Sequence, residues 1–482
     1  MKDTLANAQN FYIDGAWVAP AQAKPFEVID PANEEGCATI SLGSKADVDR
    51  AVAAARRAFE PWAFDASLAQ RTALVEKLLQ VYNARSEDMA QAISLEMGAP
   101  IDMARSQQAP AGHWHIGGFL KALAEFPFEQ PMPGGKNEMI LHEPIGVCGL
   151  ITPWNWPMNQ VVLKVVPAVA VGCTVVLKPS EIAPLSSLLF AEIMDEAGFP
   201  AGVFNLVNGD GPGVGEAMSA HPDIDMMSLT GSGRAGIAVS KASADTIKRV
   251  TLELGGKGAN LIFADTDVEA AVKRGVRHCM NNSGQSCNAP TRMMVEASVY
   301  DQAVEIAAAV AGKTAVGDPR ESGRHIGPVV SEAQYNKIQG LIETGIQEGA
   351  RLVAGGLGRP EGFNRGYYCR PTVFADVTND MTIAREEIFG PVLSVMRFAD
   401  EAEGLRLAND TSYGLTNYVQ TGSAERGQRL ARRLRAGMIR INGTDGAQGS
   451  PFGGFRQSGN GREGGAWGLH DFLEVKSVTG WA

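Results

Sequence analysis

The chain has 482 residues, 45% hydrophobic and 20% charged, with a formal net charge of −11. That composition fits a large globular protein with more than one core, divided into two or three domains. An acidic chain without a concentrated basic tract excludes nucleic acid and anionic membranes as expected partners.

In chain order, Phe11–Ile13 and Trp17–Val18 read as short strands around an Asp14-Gly15 turn. A capping signal at 44–47 precedes Val48, Ala51, Val52, Ala55 and Phe59 at helical spacing, and Pro61 is expected to end that helix. Helical text covers about 67–97 and 101–126. A Pro/Gly break at 131–135 introduces extended text, which reads as an excursion from the first domain.

From residue 145 strands and helices alternate. Strands are expected at 145–151, 174–177, 203–207 and 226–230, and helices at 159–171, 185–197, 213–220 and 235–244. This spacing predicts a parallel α/β sheet. Gly255-Gly256 forms a break, and a second α/β series begins at 259–263. A helix with Val268, Ala271, Val272, Gly275, Val276 and Cys279 on one face leads to a polar segment, Asn-Asn-Ser-Gly-Gln-Ser-Cys, ending at Cys287. Further α/β text runs to about residue 441, a Gly-rich stretch covers 443–465, and 472–478 alternates like an edge strand.

The six cysteines, at 37, 148, 173, 279, 287 and 369, show no zinc-ligand spacing, and the seven His show no HExxH pairing, so no metal is expected. They do not form a disulfide scaffold, which points to a reducing, cytoplasmic setting. Residues 1–14 lack the pattern of a secretory or transit signal, and the longest apolar run, 165–177, is too short to span a bilayer.

Several stretches carry candidate chemistry. Asn155, in PWNWP, is suited either to donate to an oxyanion or to cap the next helix. Lys178 and Glu181, in KPSE at the carboxyl end of a predicted strand, suit ribose hydroxyls or a solvated loop. The stretch 231–236 matches GxGxxG between strand and helix, and the acid about 20 residues on would be Glu253. Glu253, in ELGGK beside two glycines, equally suits a mobile catalytic carboxylate. EEIFGPV at 386–392 and PFGGFRQSG at 451–459 are Gly/aromatic loops.

These stretches, together and in this order, resemble the NAD(P)-dependent aldehyde dehydrogenase superfamily over essentially the whole chain. The resemblance implies an α/β fold with a Rossmann-variant cofactor domain at 1–122 and 145–254. It also implies an α/β catalytic domain at 255–455 and a small β oligomerisation element at 123–144 and 470–482. By resemblance Cys287 is the nucleophile, Asn155 and the Cys287 N–H form the oxyanion hole, and Glu253 is the base for deacylation. Lys164 is similar to a lysine near the catalytic relay. Lys178 and Glu181 look like adenosine-ribose contacts, Ser232 like a pyrophosphate contact with Gly231 allowing approach, and Glu387 and Phe389 like the nicotinamide clamp. Trp154 and Ser180 fall on the cofactor side. The GxGxxG match is then partly coincidental.

The implied reaction is thiol attack on an aldehyde, hydride transfer to the nicotinamide, and hydrolysis of the thioester to a carboxylic acid. NAD is expected, with NADP possible, because Glu181 would repel a 2′-phosphate. Glu253 separates this reading from a CoA-acylating semialdehyde dehydrogenase. Intact Cys287, Glu253 and Asn155 separate it from a catalytically silent structural protein, and a thiol hydrolase would leave Lys178 and Glu387 unexplained. The implied substrate tunnel includes Trp156, Asn159, Gln160, Leu163, Ser286, Asn288 and the loop 444–450; Asn159 and Gln160 suggest a polar or aromatic aldehyde. Two departures from the family pattern, Ser228-Leu229 and 258–260, are expected to lie apart from the chemistry. A homodimer or homotetramer is expected.

Overall fold

The structure is a computed structural model, and it describes residues 6–481. The ends of the expected ranges, residues 1–5 and 482, lie outside it.

The first sheet has at its centre five parallel strands in the order Arg249–Glu253, Met226–Thr230, Val147–Ile151, Thr174–Lys178, Phe204–Leu206. Every residue of Val147–Ile151, Thr174–Lys178 and Met226–Thr230 is buried, as expected of strands covered on both faces. Alternate side chains enter different cores. Cys148, Leu150, Val175 and Leu177 pack with the helices Leu68–Ala84, Ala109–Glu125, Pro157–Val171 and Leu185–Ala197. Val147, Ile151 and Val176 pack with Val48, Ala51 and Val52 of the helix Lys45–Glu60.

The chain enters this sheet at Val147–Ile151, moves outward through Thr174–Lys178 and Phe204–Leu206, then crosses to the other side with Met226–Thr230 and Arg249–Glu253. The reversal puts a topological switch point at the carboxyl ends of Val147–Ile151 and Met226–Thr230, where open α/β sheets bind ligands. Phe11–Ile13 and Ala16–Val18 extend one edge and Gly459–Asn460 the other.

The second sheet runs Arg351–Ala354, Thr372–Ala375, Val392–Phe398, Arg292–Glu296, Ala259–Ile262, Thr416–Gln420, Met438–Ile441. Only the Arg351–Ala354 pairing is antiparallel. A third sheet joins Glu129–Pro131, Glu138–Pro144 and Leu473–Thr479, so the predicted hairpin and the C-terminal strand pair with each other.

Some predicted boundaries move. The helical text at 67–97 is two helices, Leu68–Ala84 and Ser86–Met97, broken at Arg85 with φ −102° and ψ 12°. The Arg85 guanidinium there reaches Asp88, three residues on, and Glu192, 107 residues away, a contact that local spacing does not encode. The helix Lys45–Glu60 ends with Pro61 as its C-cap, as expected, and Pro61–Asp65 follows as one wide turn. The helix expected at 159 starts at Pro157, where a proline needs no N–H partner. Residues 123–125 of the expected hairpin form the last turn of Ala109–Glu125. The Gly-rich stretch contains Gly459–Asn460, which pairs with Leu252 and Glu253.

Candidate active site

The switch-point crevice holds unsatisfied polar groups. The hydroxyl oxygens of Thr152 and Thr230, just beyond and at the ends of the two central strands, are buried without a partner. Ser232 caps the helix Gly233–Ser243 by accepting from the Ala235 N–H at 3.3 Å. Its neighbour Gly233 has open space where a Cβ would stand. The Gly231 N–H donates to the Glu253 carbonyl at 2.9 Å, tying this turn to the adjacent strand. Buried acceptors, an open glycine turn and a helix N-terminus fit the phosphates and hydroxyls of a dinucleotide.

Lys178 closes the strand Thr174–Lys178 and is buried. Its Nζ donates to the carbonyls of Pro179 (2.9 Å) and Gly209 (2.6 Å) and lies 3.4 Å from Glu181 Oε2. Burial lowers its pKa below the ordinary lysine value. Ser180 Oγ accepts from the Ile182 N–H at 3.4 Å. On the other side of the crevice Glu387 Oε1 accepts from the Gly256 N–H at 2.8 Å. A Cβ on Gly255 would stand 2.2 Å from Glu387 Oε2, so glycine there lets the carboxylate in. Burial pushes Glu387 up to about 7. Phe389, at φ +59°, meets Trp154 edge-on with ring centroids 5.5 Å apart.

Cys287 follows a strained turn. The helix Val268–Met280 ends, and Asn282 (φ 52°) and Ser283 (φ 55°) both take left-handed backbone before Gly284 (φ 75°). Each such non-glycine residue costs about 1–3 kcal/mol and persists only when its surroundings hold it. Asn282 Nδ2 donates to the Asn155 carbonyl at 2.9 Å, and Gln108 Nε2 donates to that carbonyl at 3.1 Å and to Asn282 Oδ1 at 3.2 Å. Ser283 Oγ donates to the Gly327 carbonyl at 2.7 Å, and Gln285 Oε1 accepts from the Val330 N–H at 2.9 Å. A Cβ on Gly284 would stand 2.0 Å from the Gly390 carbonyl oxygen.

This clamp brings the predicted site residues together across the sequence. Asn155 Nδ2 donates to the Gln285 carbonyl at 3.0 Å, its one acceptor among the described residues. Trp156 Nε1 donates to Ser286 Oγ at 2.8 Å. Gly256 packs so closely that a Cβ would stand 2.5 Å from the Cys287 carbonyl oxygen. Burial pushes the Cys287 thiol well above its ordinary range, and the charges of Glu387 and Glu253 push it further.

Glu253 ends the strand Arg249–Glu253 and is 4% exposed, yet neither carboxylate oxygen has a hydrogen-bond partner. A Cβ on Gly453 would stand 2.5 Å from its Oε1. Burial raises its pKa far above the usual carboxylate range, and the charge of Glu463 adds to the effect. Glu463 pairs with Lys164 at 2.6 Å, and Lys164 Nζ also donates to Ser228 Oγ at 3.0 Å. Ser228 was expected to stand apart from the chemistry; it is a direct partner of Lys164. Glu463 was missed because it sits in a Gly-rich stretch with no motif of its own.

A cavity of about 890 Å³ reaches Cys287. Trp156, Asn159, Gln160, Leu163, Ser286 and Asn288 line it, together with residues of the loop 444–450. Sequence reasoning missed Trp114, His115, His278 and Arg440, which also line it. His115 Nε2 lies 2.8 Å from Asn159 Oδ1. Gln448 holds the loop on the helix Ala109–Glu125, donating to the Trp114 carbonyl and accepting from Lys121 Nζ, each at 2.6 Å. Their helical spacing marked Trp114 and His115 only as helix residues.

Among the described residues no group of His, Cys, Asp and Glu could hold a metal ion, and no helix is long and apolar enough to cross a membrane. A thiol, an amide N–H and a buried carboxylate have the chemical means to add to a carbonyl, hold the oxyanion and activate water.

The comparisons agree with this geometry. The model of the Aldehyde dehydrogenase family matches residues 17–478. A 3-succinoylsemialdehyde-pyridine dehydrogenase from Pseudomonas sp is 52% identical over 478 residues, covering 99% of both chains. The crystal structure of an aldehyde dehydrogenase from Bartonella henselae superposes with a TM-score of 0.96 at 57% identity, covering 98% of this chain and 99% of that one. A cysteine-to-alanine variant of aldehyde dehydrogenase C from Pseudomonas syringae, in complex with NAD+ and octanal, gives a TM-score of 0.97 at 49% identity, covering 99% and 98%. With the family model and the relatives matched along its length, the chain belongs to the aldehyde dehydrogenase family.

Proposed function

We propose that the protein oxidises an aldehyde to a carboxylic acid with NAD, through a covalent intermediate on Cys287. The observation that carries this reading is the buried carboxylate of Glu253, without a hydrogen-bond partner among the described residues and near enough to Cys287 for its charge to act on the thiol. A carboxylate left without donors in a buried site has its basicity raised by desolvation, as a general base near neutral pH requires.

The aldehyde enters through the cavity lined by Trp156, Asn159, Gln160 and Leu163. The Cys287 thiol gives up its proton to solvent as Sγ adds to the carbonyl carbon, and the oxyanion takes an N–H of Asn155 and the backbone N–H of Cys287. NAD, when bound, supplies the acceptor for the hydride that leaves the former aldehyde carbon. Glu253 then takes a proton from water as that water attacks the thioester, and the acid departs. Lys164 and Glu463 hold a fixed pair of charges behind Glu253. Glu253 in this place favours water over CoA as the acyl acceptor.

Thr152, Thr230, Ser232 and Glu387 would hold the cofactor, with Lys178 and Glu181 toward the adenosine ribose and Trp154 and Phe389 flanking the nicotinamide. Ser180 and Gly231 shape the turns around it. Glu181 disfavours a 2′-phosphate, which supports NAD over NADP. A polar or aromatic aldehyde suits Asn159, Gln160 and His115, and the pyridine-bearing substrate named for the Pseudomonas relative is of that kind. The octanal bound by the Pseudomonas syringae enzyme shows that a relative also takes an alkyl chain. The outer edge of Leu473–Thr479 has no strand beside it and suits pairing between subunits in a homodimer or homotetramer of the cytoplasm.

Steady-state oxidation of an aldehyde panel by wild type and Cys287→Ala tests the assignment. Loss of NADH formation in the variant, with NAD binding retained by fluorescence titration, is expected. Turnover at the wild-type rate would overturn it.

A further inference from the structure

Among the described residues that line the aldehyde cavity, Arg440 is the one arginine or lysine and Asp445 the one carboxylate. Arg440 lies on the strand Met438–Ile441 in register with Tyr418 of the parallel strand Thr416–Gln420, so the two side chains share a face. The Tyr418 hydroxyl donates to the Asn288 carbonyl at 2.7 Å, one residue beyond Cys287. Arg440 therefore stands one strand spacing, about 4.8 Å, outside the residue that touches the nucleophile segment. His278 and His115 also line this cavity, and burial lowers the pKa of both, His278 to about 4, so neither competes as a cation at neutral pH.

Arg440 is also shared with a second cavity of about 530 Å³ that abuts the first. That cavity adds Arg274 and Arg277, against the single carboxylate of Asp445. In a chain of net charge −11, three guanidiniums facing one carboxylate invert the local sign. Gly443 is part of this arrangement: at φ +74° it has no Cβ, and one would stand 2.4 Å from Arg274 Nε. Arg440 meets Asp445 at 3.1 Å, but the Asp445 side chain is 90% exposed, and such a pair is worth little and exchanges readily.

We infer that the substrate carries a carboxylate remote from its aldehyde carbon, and that Arg440 receives this carboxylate in place of Asp445. The favoured class is an ω-oxo carboxylate, with Arg274 and Arg277 drawing the anion toward the cavity mouth. This inference rests on Cys287 being the nucleophile at the inner end of the same cavity.

The test compares kcat/KM for medium-chain ω-oxo carboxylates, the alkanals of equal length and the matching ω-oxoalkyl phosphates. Wild type is expected to prefer the carboxylate over the alkanal by about tenfold or more, the worth of one charge-assisted guanidinium pair. Arg440→Met should collapse that ratio, and Arg440→Lys should restore part of it. A preference for the phosphate would overturn the carboxylate assignment, and equal values for carboxylate and alkanal would overturn the anion site while leaving aldehyde oxidation intact. Calorimetric binding of adipate to wild type and Arg440→Met gives a readout independent of turnover. Binding lost in the variant supports the site even if no aldehyde is oxidised, and no binding to wild type refutes it.

Discussion

Replacing Lys164 by Met removes one partner of a buried ion pair. The Lys164 side chain is 1% exposed, Glu463 is 9% exposed, and they meet at 2.6 Å. Glu463 Oε1 takes the Lys164 bond, and Oε2 has no hydrogen-bond partner among the described residues. Lys164→Met therefore leaves a buried carboxylate uncompensated and removes a donor from Ser228, a change that costs about 3–5 kcal/mol. Unfolding entropy of about 2.1 cal/mol/K per residue gives about 1 kcal/mol/K for 482 residues, so the melting temperature should fall by about 3–5 °C. Differential scanning calorimetry of Lys164→Met, Glu463→Leu and the double variant checks this. The double variant should recover most of the loss, because two apolar side chains leave no orphaned charge. A single-variant shift below about 1 °C, or a double variant that loses the sum of both, would refute the buried-pair argument.

Two further outcomes concern titration. Glu387 is pushed from 4.5 up to about 7 in the folded chain, so its contribution is full below its unfolded value and is lost as pH rises through about 7. Between pH 5 and pH 8 wild type should lose up to about 3 kcal/mol that Glu387→Gln retains, and melting curves across that range measure it. Cys287, with its thiol pushed up by burial and by nearby carboxylates, should react slowly with iodoacetamide at neutral pH in the absence of cofactor. Glu387→Gln should speed that alkylation above pH 7, where Glu387 is ionised and its charge raises the thiol. A wild-type rate that saturates near pH 7 would contradict this account of the thiol.

The alternating strands and helices were legible because each buried strand is a short apolar run bounded by glycine or proline, and each helix keeps its apolar stripe. The break at Arg85 was not, because it is set by Asp88 and by Glu192, far along the chain. The motif residues were legible as chemistry: Cys287 and Glu253 sit beside glycines at helix and strand ends, and Asn155 sits in a turn framed by Pro153 and Pro157. What holds them was not. Gln108, Asn282 and Gln285 form the clamp through bonds between residues 47 to 174 positions apart in the chain. Glu463 and Gly453 flank Gly459–Asn460, which pairs with the strand that ends in Glu253, and Ser228 reaches Lys164 from the neighbouring strand Met226–Thr230. Arg440 and His115 carried no signal, since an arginine in a strand and a histidine in a helix are ordinary until a cavity gives them a common face.

The central claim is that Cys287 carries an acyl group which Glu253 helps to release. Glu253→Gln mixed rapidly with NAD and aldehyde, followed by absorbance and then by intact-mass and peptide mass spectrometry, tests it directly. A burst of NADH of about one equivalent per site is expected, with an adduct on Cys287 equal to the aldehyde less two hydrogens and little turnover afterwards. An absent burst while NAD still binds, an adduct on another residue, or steady-state turnover at the wild-type rate would contradict it.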